Sequence, residues 1–323
     1  MKIARILLRI GLIFVAILVV LVALVFGIRA WNTSSWKNSE IASAPPPTEG
    51  ITVSDFQGEY ARGYHLVPDE KKHPGTIVTF GGSEGSADTV TAAKLAAEGH
   101  EVYALYYFGQ PGQKETLENV PLELFNDVLP NLSKPITVMG GSKGAELALL
   151  LSTYYPEIDN VALVAPTMHH WQGLGGRMEY HPSFTWEDKP IPYINFSQAD
   201  GPVLFWQAVS LTLAKPVTFE PTYSSALKNT PEAEREQARI KIEKTKARLF
   251  IVAGEKDELW GSSTAAKDIQ QRVGDRAEVH IYPDGGHALG APDEVGFLRL
   301  GGTEEANKAM AEDSHKKLLQ WLP

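Results

Sequence analysis

The stretch Ile136-Thr137-Val138-Met139-Gly140-Gly141-Ser142-Lys143-Gly144-Ala145-Glu146 decides the fold. Its first four residues form a short apolar run that reads as a buried strand. A helical pattern begins near Lys143 and continues to Tyr154. Between them stands Gly140-x-Ser142-x-Gly144. Strand, sharp turn and helix make this short pattern a nucleophile elbow, with glycines where neighbouring chains pass close to the serine. The helix N-terminus behind Ser142 favours negative charge at the reacting centre. Ser142 is the candidate nucleophile.

Outward from that turn, short apolar runs alternate with helical patterns. Ile51–Phe56 and Tyr60–Leu66 predict an opening hairpin. Thr76–Phe80, Glu101–Tyr107, Ile136–Met139, Val161–Ala165, Arg248–Ala253 and Glu278–Tyr282 predict the later strands. Helices are expected over 88–98, 117–129, 143–154, 265–273 and 303–322. The alternation implies a mainly parallel sheet flanked by helices, and with the elbow it implies an α/β-hydrolase fold. From Thr167 to Asn229 the sequence is rich in Trp, Pro, Gly and His without clean periodicity. Its aromatic residues argue against disorder, so residues 167–230 are expected to be a cap insertion over the site, with an aromatic-lined acyl pocket beneath it. Thr230 and Pro231 are expected to start a charged helix.

A serine needs a base, and the base needs an orienting carboxylate. In this fold acid and histidine follow in that order on loops after later strands. Asp257 lies just beyond Arg248–Ala253, and His287 just beyond Glu278–Tyr282. Glu255, Glu258 and Asp284 are rival carboxylates; His169-His170 is the rival base, and His280 reads as a strand residue. The oxyanion hole is expected to combine the backbone N–H of Lys143 with that of Gly82 or Ser83, from the loop after Thr76–Phe80.

Composition narrows the alternatives. A net charge of −9 argues against nucleic acid, and the basic stretch 239–248 is interleaved with acids. The absence of cysteine excludes a thiol nucleophile, disulfides and cysteine-ligated zinc. There is no His-Glu-x-x-His, phosphate loop or dinucleotide fingerprint, so no metal or cofactor is expected. Ile10 to Ile28 are 19 uncharged residues between Arg9 and Arg29. As a helix they reach roughly 28 Å, the depth of a hydrocarbon core. Residues 1–31 therefore read as one transmembrane anchor and 32–50, with Pro45-Pro46-Pro47, as a stiff linker to a catalytic domain over 51–323. Lys2, Arg5 and Arg9 before the span, against Arg29 and Lys37 after it, place the catalytic domain outside the cytoplasm.

Taken together, the motifs resemble the acyl-CoA thioesterases related to bile-acid-CoA:amino acid N-acyltransferase. Gly140-Gly141-Ser142-Lys143-Gly144-Ala145-Glu146 is similar to that family's elbow, and Phe80-Gly81-Gly82-Ser83-Glu84-Gly85 to its glycine-rich loop. Val102–Phe108, Gly254–Trp260, Tyr282–His287 and Gly301-Gly302 with the closing helix are similar to its other motifs, over roughly Thr76 to Leu322. The resemblance implies the triad Ser142, Asp257 and His287, and a serine in place of cysteine implies hydrolysis rather than amide transfer. Glu84 stands where the family usually has glycine, and only Ile51 to Pro74 precede the first core strand, where long members carry a β-sandwich. The expected activity is cleavage of a small acyl ester or thioester by a membrane-anchored serine hydrolase. A cytoplasm-facing acyl-CoA thioesterase and a non-catalytic binding scaffold are the competing readings.

Overall fold

Apolar residues alternate along the central strands so that both sheet faces are buried, as a parallel sheet covered on two sides requires. In Arg248–Gly254, Leu249, Ile251 and Ala253 join one core while Phe250 and Val252 join the other. The computed structural model describes residues 2–34, 36, 49–176 and 179–323. Its elements begin with helix α1 (Lys2–Ser34), strands β1 (Ile51–Gln57), β2 (Arg62–Pro68) and β3 (Thr76–Phe80), and helix α2 (Thr89–Ala97). Strands β4 (Val102–Tyr106) and β5 (Val120–Pro121), helix α3 (Leu124–Val128), strand β6 (Ile136–Gly141), helix α4 (Lys143–Tyr154) and strand β7 (Ile158–Val164) follow. Next come β8 (Phe184–Trp186), β9 (Lys189–Pro190), α5 (Gly201–Thr212), α6 (Glu220–Asn229) and α7 (Glu232–Ala238). The chain closes with β10 (Arg248–Gly254), α8 (Ser262–Val273), β11 (Ala277–Tyr282), β12 (Glu294–Val295), β13 (Leu298–Arg299) and α9 (Glu304–Trp321).

The main sheet has eight strands in the order β1-β2-β4-β3-β6-β7-β10-β11. β1 and β2 are antiparallel, as is the β2–β4 pair, and the rest run parallel. From β3 the chain goes to β4 on one side, whereas β6 lies on the other. Such a reversal opens a crevice at the carboxyl ends of the two strands, because their crossover helices cover opposite faces. α2 belongs to one core and α4 to the other. The crevice is where Ser142 sits. The fold is the expected α/β-hydrolase sheet with flanking helices and an apolar N-terminal helix.

Three local expectations are corrected. The helix expected over 117–129 shrinks to α3, because the N–H groups of Val120 and Leu122 donate to Ser183 and Thr185 instead. Thr230 does not cap α7: its hydroxyl donates to the Ala226 carbonyl at 2.7 Å, closing α6. The aperiodic stretch 167–229 contains two helices, α5 and α6, joined to a separate cluster of Trp171, Ile194, Tyr223, Ala238 and Trp260. None of the apolar window of α1 is buried, and the helix is long and apolar enough to cross a membrane. The prolines Pro45–Pro47 of the expected linker, and Lys37, lie outside the described residues.

Candidate active site

The turn after β6 is built by steric necessity. A Cβ on Gly140 would stand 2.2 Å from the Gly144 carbonyl oxygen, and one on Gly144 would stand 2.1 Å from that of Gly81. Only glycine admits such an approach. Ser142 itself has φ 55° and ψ −120°, a conformation that costs an L-residue of order 1–3 kcal/mol. It is held by its N–H donating to Val164 at 2.9 Å and by its carbonyl accepting from Ala145 and Glu146. The turn lifts the serine into the crevice at the start of α4.

Asp257 and His287 arrive on the loops after the neighbouring parallel strands β10 and β11. His287 Nδ1 lies 2.9 Å from both carboxylate oxygens of Asp257. A carboxylate only accepts, so Nδ1 carries a proton, and in the neutral ring Nε2 then presents a lone pair. That Nε2 is buried and has no hydrogen-bond partner among the described residues. Asp257 Oδ1 also accepts from the N–H groups of Leu259 (2.9 Å) and Trp260 (3.2 Å), which fixes the carboxylate. The Trp260 ring meets His287 edge-on at 5.5 Å.

Ser142 and His287 line one cavity of about 670 Å³, together with Gly81, Gly82, Ser83 and Glu84. Its volume is that of a site for a small organic ligand. The cavity runs over the sheet face of Met139, Ala162, Phe250 and Val252, under α2 and α9. Its walls are more apolar than polar, and no described residue of 167–230 lines it. The aromatic pocket expected beneath the cap is therefore corrected: Trp171, Phe196 and Tyr223 pack on one another and on Trp260 instead.

The loop after β3 separates two donors that the sequence left equivalent. The Gly82 N–H donates to Glu84 Oε1 at 2.8 Å, and the Gly82 carbonyl accepts from Tyr107 at 2.6 Å. The N–H groups of Ser83 and Lys143 have no acceptor among the described residues. The rival histidines stand apart from the cavity. His170 is buried with Nδ1 3.7 Å from Glu146 Oε1, and His169 lines a separate cleft with Arg235 and Asp268. Burial pushes the His169 ring down to about 4. Among the rival acids, Glu255 and Glu258 form ion pairs with Lys267 and Arg299. His280 pairs with Glu278 on its strand.

Two supports were not legible beforehand. Lys143 Nζ and Glu146 Oε2 form a buried ion pair at 2.6 Å beneath the elbow. Burial pushes the Glu146 carboxyl up, but Lys143 and His170 more than offset this and hold it below its ordinary range. Asn307 accepts from Gly286 N–H at 2.7 Å and donates to the Gly301 carbonyl at 3.1 Å, pinning the loop before His287. The opposite-charge i, i+3 spacing of Lys143 and Glu146 was the available signal for the first; Asn307, an ordinary helix residue, offered none.

Residues 125–293, just over half of the chain, match the family described as BAAT / Acyl-CoA thioester hydrolase C terminal. The chain is 27% identical over 238 residues to human acyl-coenzyme A thioesterase 6, covering 70% of this chain and 51% of that protein. It is 25% identical over 259 residues to mouse acyl-coenzyme A amino acid N-acyltransferase 1, covering 75% and 55%. It thus spans about half the length of the curated relatives it matches. A crystal structure of EstE5 soaked with p-nitrophenyl butyrate is similar with a TM-score of 0.50 at 14% identity, over 92% of this chain and 98% of that one. At that identity the likeness is one of fold. The matched segment contains the Ser142 turn, Asp257 and His287, and on this evidence of sequence and fold together the chain belongs to the BAAT / acyl-CoA thioester hydrolase C-terminal family.

Proposed function

We propose that this chain is a membrane-anchored serine hydrolase that cleaves an acyl ester or thioester through an acyl-enzyme on Ser142. The observation that carries the proposal is the His287–Asp257 pair, which leaves a buried, unpartnered Nε2 in the cavity that Ser142 lines. Ser142 Oγ attacks the acyl carbon while His287 Nε2 takes its proton, and Asp257 stabilises the imidazolium. The N–H groups of Ser83 and Lys143 receive the oxyanion; Gly82 joins them once its N–H is released by Glu84. His287 returns the proton to the leaving alcohol or thiol. Water, deprotonated by the same nitrogen, then releases the acid and restores Ser142. The apolar wall beyond Ser142 suits the acyl chain.

Assays against p-nitrophenyl esters and acyl-CoAs of graded chain length test this reading. Ser142→Ala is expected to lower kcat by about 10³-fold or more, and Asp257→Asn by about 10³–10⁴-fold, with little change in KM. A Ser142→Ala protein that retains wild-type turnover contradicts the mechanism. The names of the relatives favour a second reading, in which the leaving group is CoA, and that reading requires the catalytic domain to face the cytoplasm. Protease protection in intact cells decides between the two, since only a shielded domain meets a CoA pool.

A further inference from the structure

Helix α5 (Gly201–Thr212) carries no charged residue in Gly-Pro-Val-Leu-Phe-Trp-Gln-Ala-Val-Ser-Leu-Thr, and none of its residues is fully buried. Phe205 is 60% exposed and Trp206 65%, their rings stacked edge to face at 5.2 Å on the surface. Pro202, Ala208 and Leu211 are exposed beside them. A contiguous apolar surface of this kind marks a binding face. Its inner side is accounted for, because Leu204 packs against the Trp171–Tyr223 cluster. What covers its outer side follows from the helix's neighbour.

The last carbonyls of a helix lack intrahelical partners. Those at and just beyond the end of α5 find them on α1 and on Trp36 after it. Arg29 Nη1 donates to Leu211 and Thr212 at 3.3 Å, Asn32 Nδ2 to Leu213 at 2.8 Å, and Trp36 Nε1 to Ala214 at 3.0 Å. Arg29 is the residue that ends the uncharged span Ile10–Ile28. If that span lies in a bilayer, Arg29 and the 79%-exposed Trp31 sit at its surface, where such residues concentrate. The carboxyl end of α5 is bonded to the same level. Trp206 lies six residues before Thr212, about 9 Å along the helix axis.

We propose that α5 is a second membrane contact, an interfacial helix that seats Phe205 and Trp206 in the headgroup region beside the anchor. The proposal rests on reading α1 as a membrane span. It also orients the catalytic cavity. Beyond Ala214, Val217 bridges to Leu298 and its N–H donates to the Phe297 carbonyl, and Leu298 lines the Ser142 cavity. Phe297 is exposed at that bridge, and Leu289, which also lines the cavity, is exposed as well. The docked helix thereby brings the cavity rim toward the bilayer, where acyl lipids reside.

Because the chain has no cysteine, single cysteines label cleanly. Full-length Phe205→Cys and Val19→Cys are labelled with an environment-sensitive fluorophore and reconstituted into phosphatidylcholine–phosphatidylglycerol vesicles. Brominated lipid and aqueous iodide then serve as quenchers. The expected result is that brominated lipid lowers emission about twofold or more at both positions, while iodide acts weakly. Quenching at Val19→Cys but not at Phe205→Cys overturns the proposal and leaves the anchor intact. Shielding of Phe205→Cys from both quenchers assigns the face to a second copy of the chain and also overturns it. No lipid quenching at Val19→Cys removes the anchor and the proposal with it.

Discussion

At the residue scale, the site depends on a few side chains held in costly states. Ser142 occupies a positive φ, and the carboxyl of Asp88, which lines the same cavity, is raised above its ordinary range. Burial, reinforced by Glu84, pushes Asp88 up to about 6 against bonds from Thr91 that act the other way. A raised carboxylate binds its proton more tightly in the folded state, so stability falls as pH rises from about 4 through 6 and the loss is complete above that window. Asp88→Asn keeps a side chain that caps α2 and tolerates its left-handed backbone, but cannot ionise. It is expected to melt roughly 2–4 °C higher than wild type at pH 8 and at the same temperature at pH 4, by calorimetry. An equal gain at both pH values contradicts the assignment. Ser142, Asp257 and His287 stood out in the sequence because each lies within a few residues of the end of a strand run. The distinction between Gly82 and Ser83 did not, since it turns on where the Glu84 carboxylate folds back.

At the element scale, strands and helices with strong periodicity were readable, and β3, α4 and β10 fall within a residue of expectation. The failures share one cause, which is pairing with distant chain. Val120–Pro121 joins β8 across more than sixty residues, and no local pattern in 117–129 records that partner. α5 escaped notice because it lacks the polar stripe that makes a surface helix visible. α4 carries a hidden dependence of its own: Lys143 is 1% exposed and Glu146 0%. Removing one partner of a buried pair strands the other charge. Glu146→Gln is expected to cost about 3–5 kcal/mol in denaturant unfolding, and Lys143→Met with Glu146→Leu to recover most of that loss. A double variant no more stable than the single one contradicts this account. The Lys143 backbone N–H remains in both, so the proposed oxyanion donor is unaffected.

At the scale of the whole molecule, the carboxyl ends of the parallel strands open at one edge of the sheet, where Ser142 and His287 line one cavity and Asp257 bonds to His287. The order serine, acid, histidine along the chain was the signal for that grouping. The location of the cavity had no such signal. It lies between the sheet and helices α2 and α9 rather than under 167–230, because the aromatic side chains of that insertion satisfy one another. The central claim, that Ser142 is a nucleophile activated by His287, is tested most directly by reaction of the full-length protein with a fluorophosphonate followed by peptide mass spectrometry. The account predicts one adduct on Ser142 in the folded wild type, none in Ser142→Ala, and strongly slowed labelling in His287→Asn. A folded wild type that stays unlabelled, or an adduct that persists in Ser142→Ala, contradicts it.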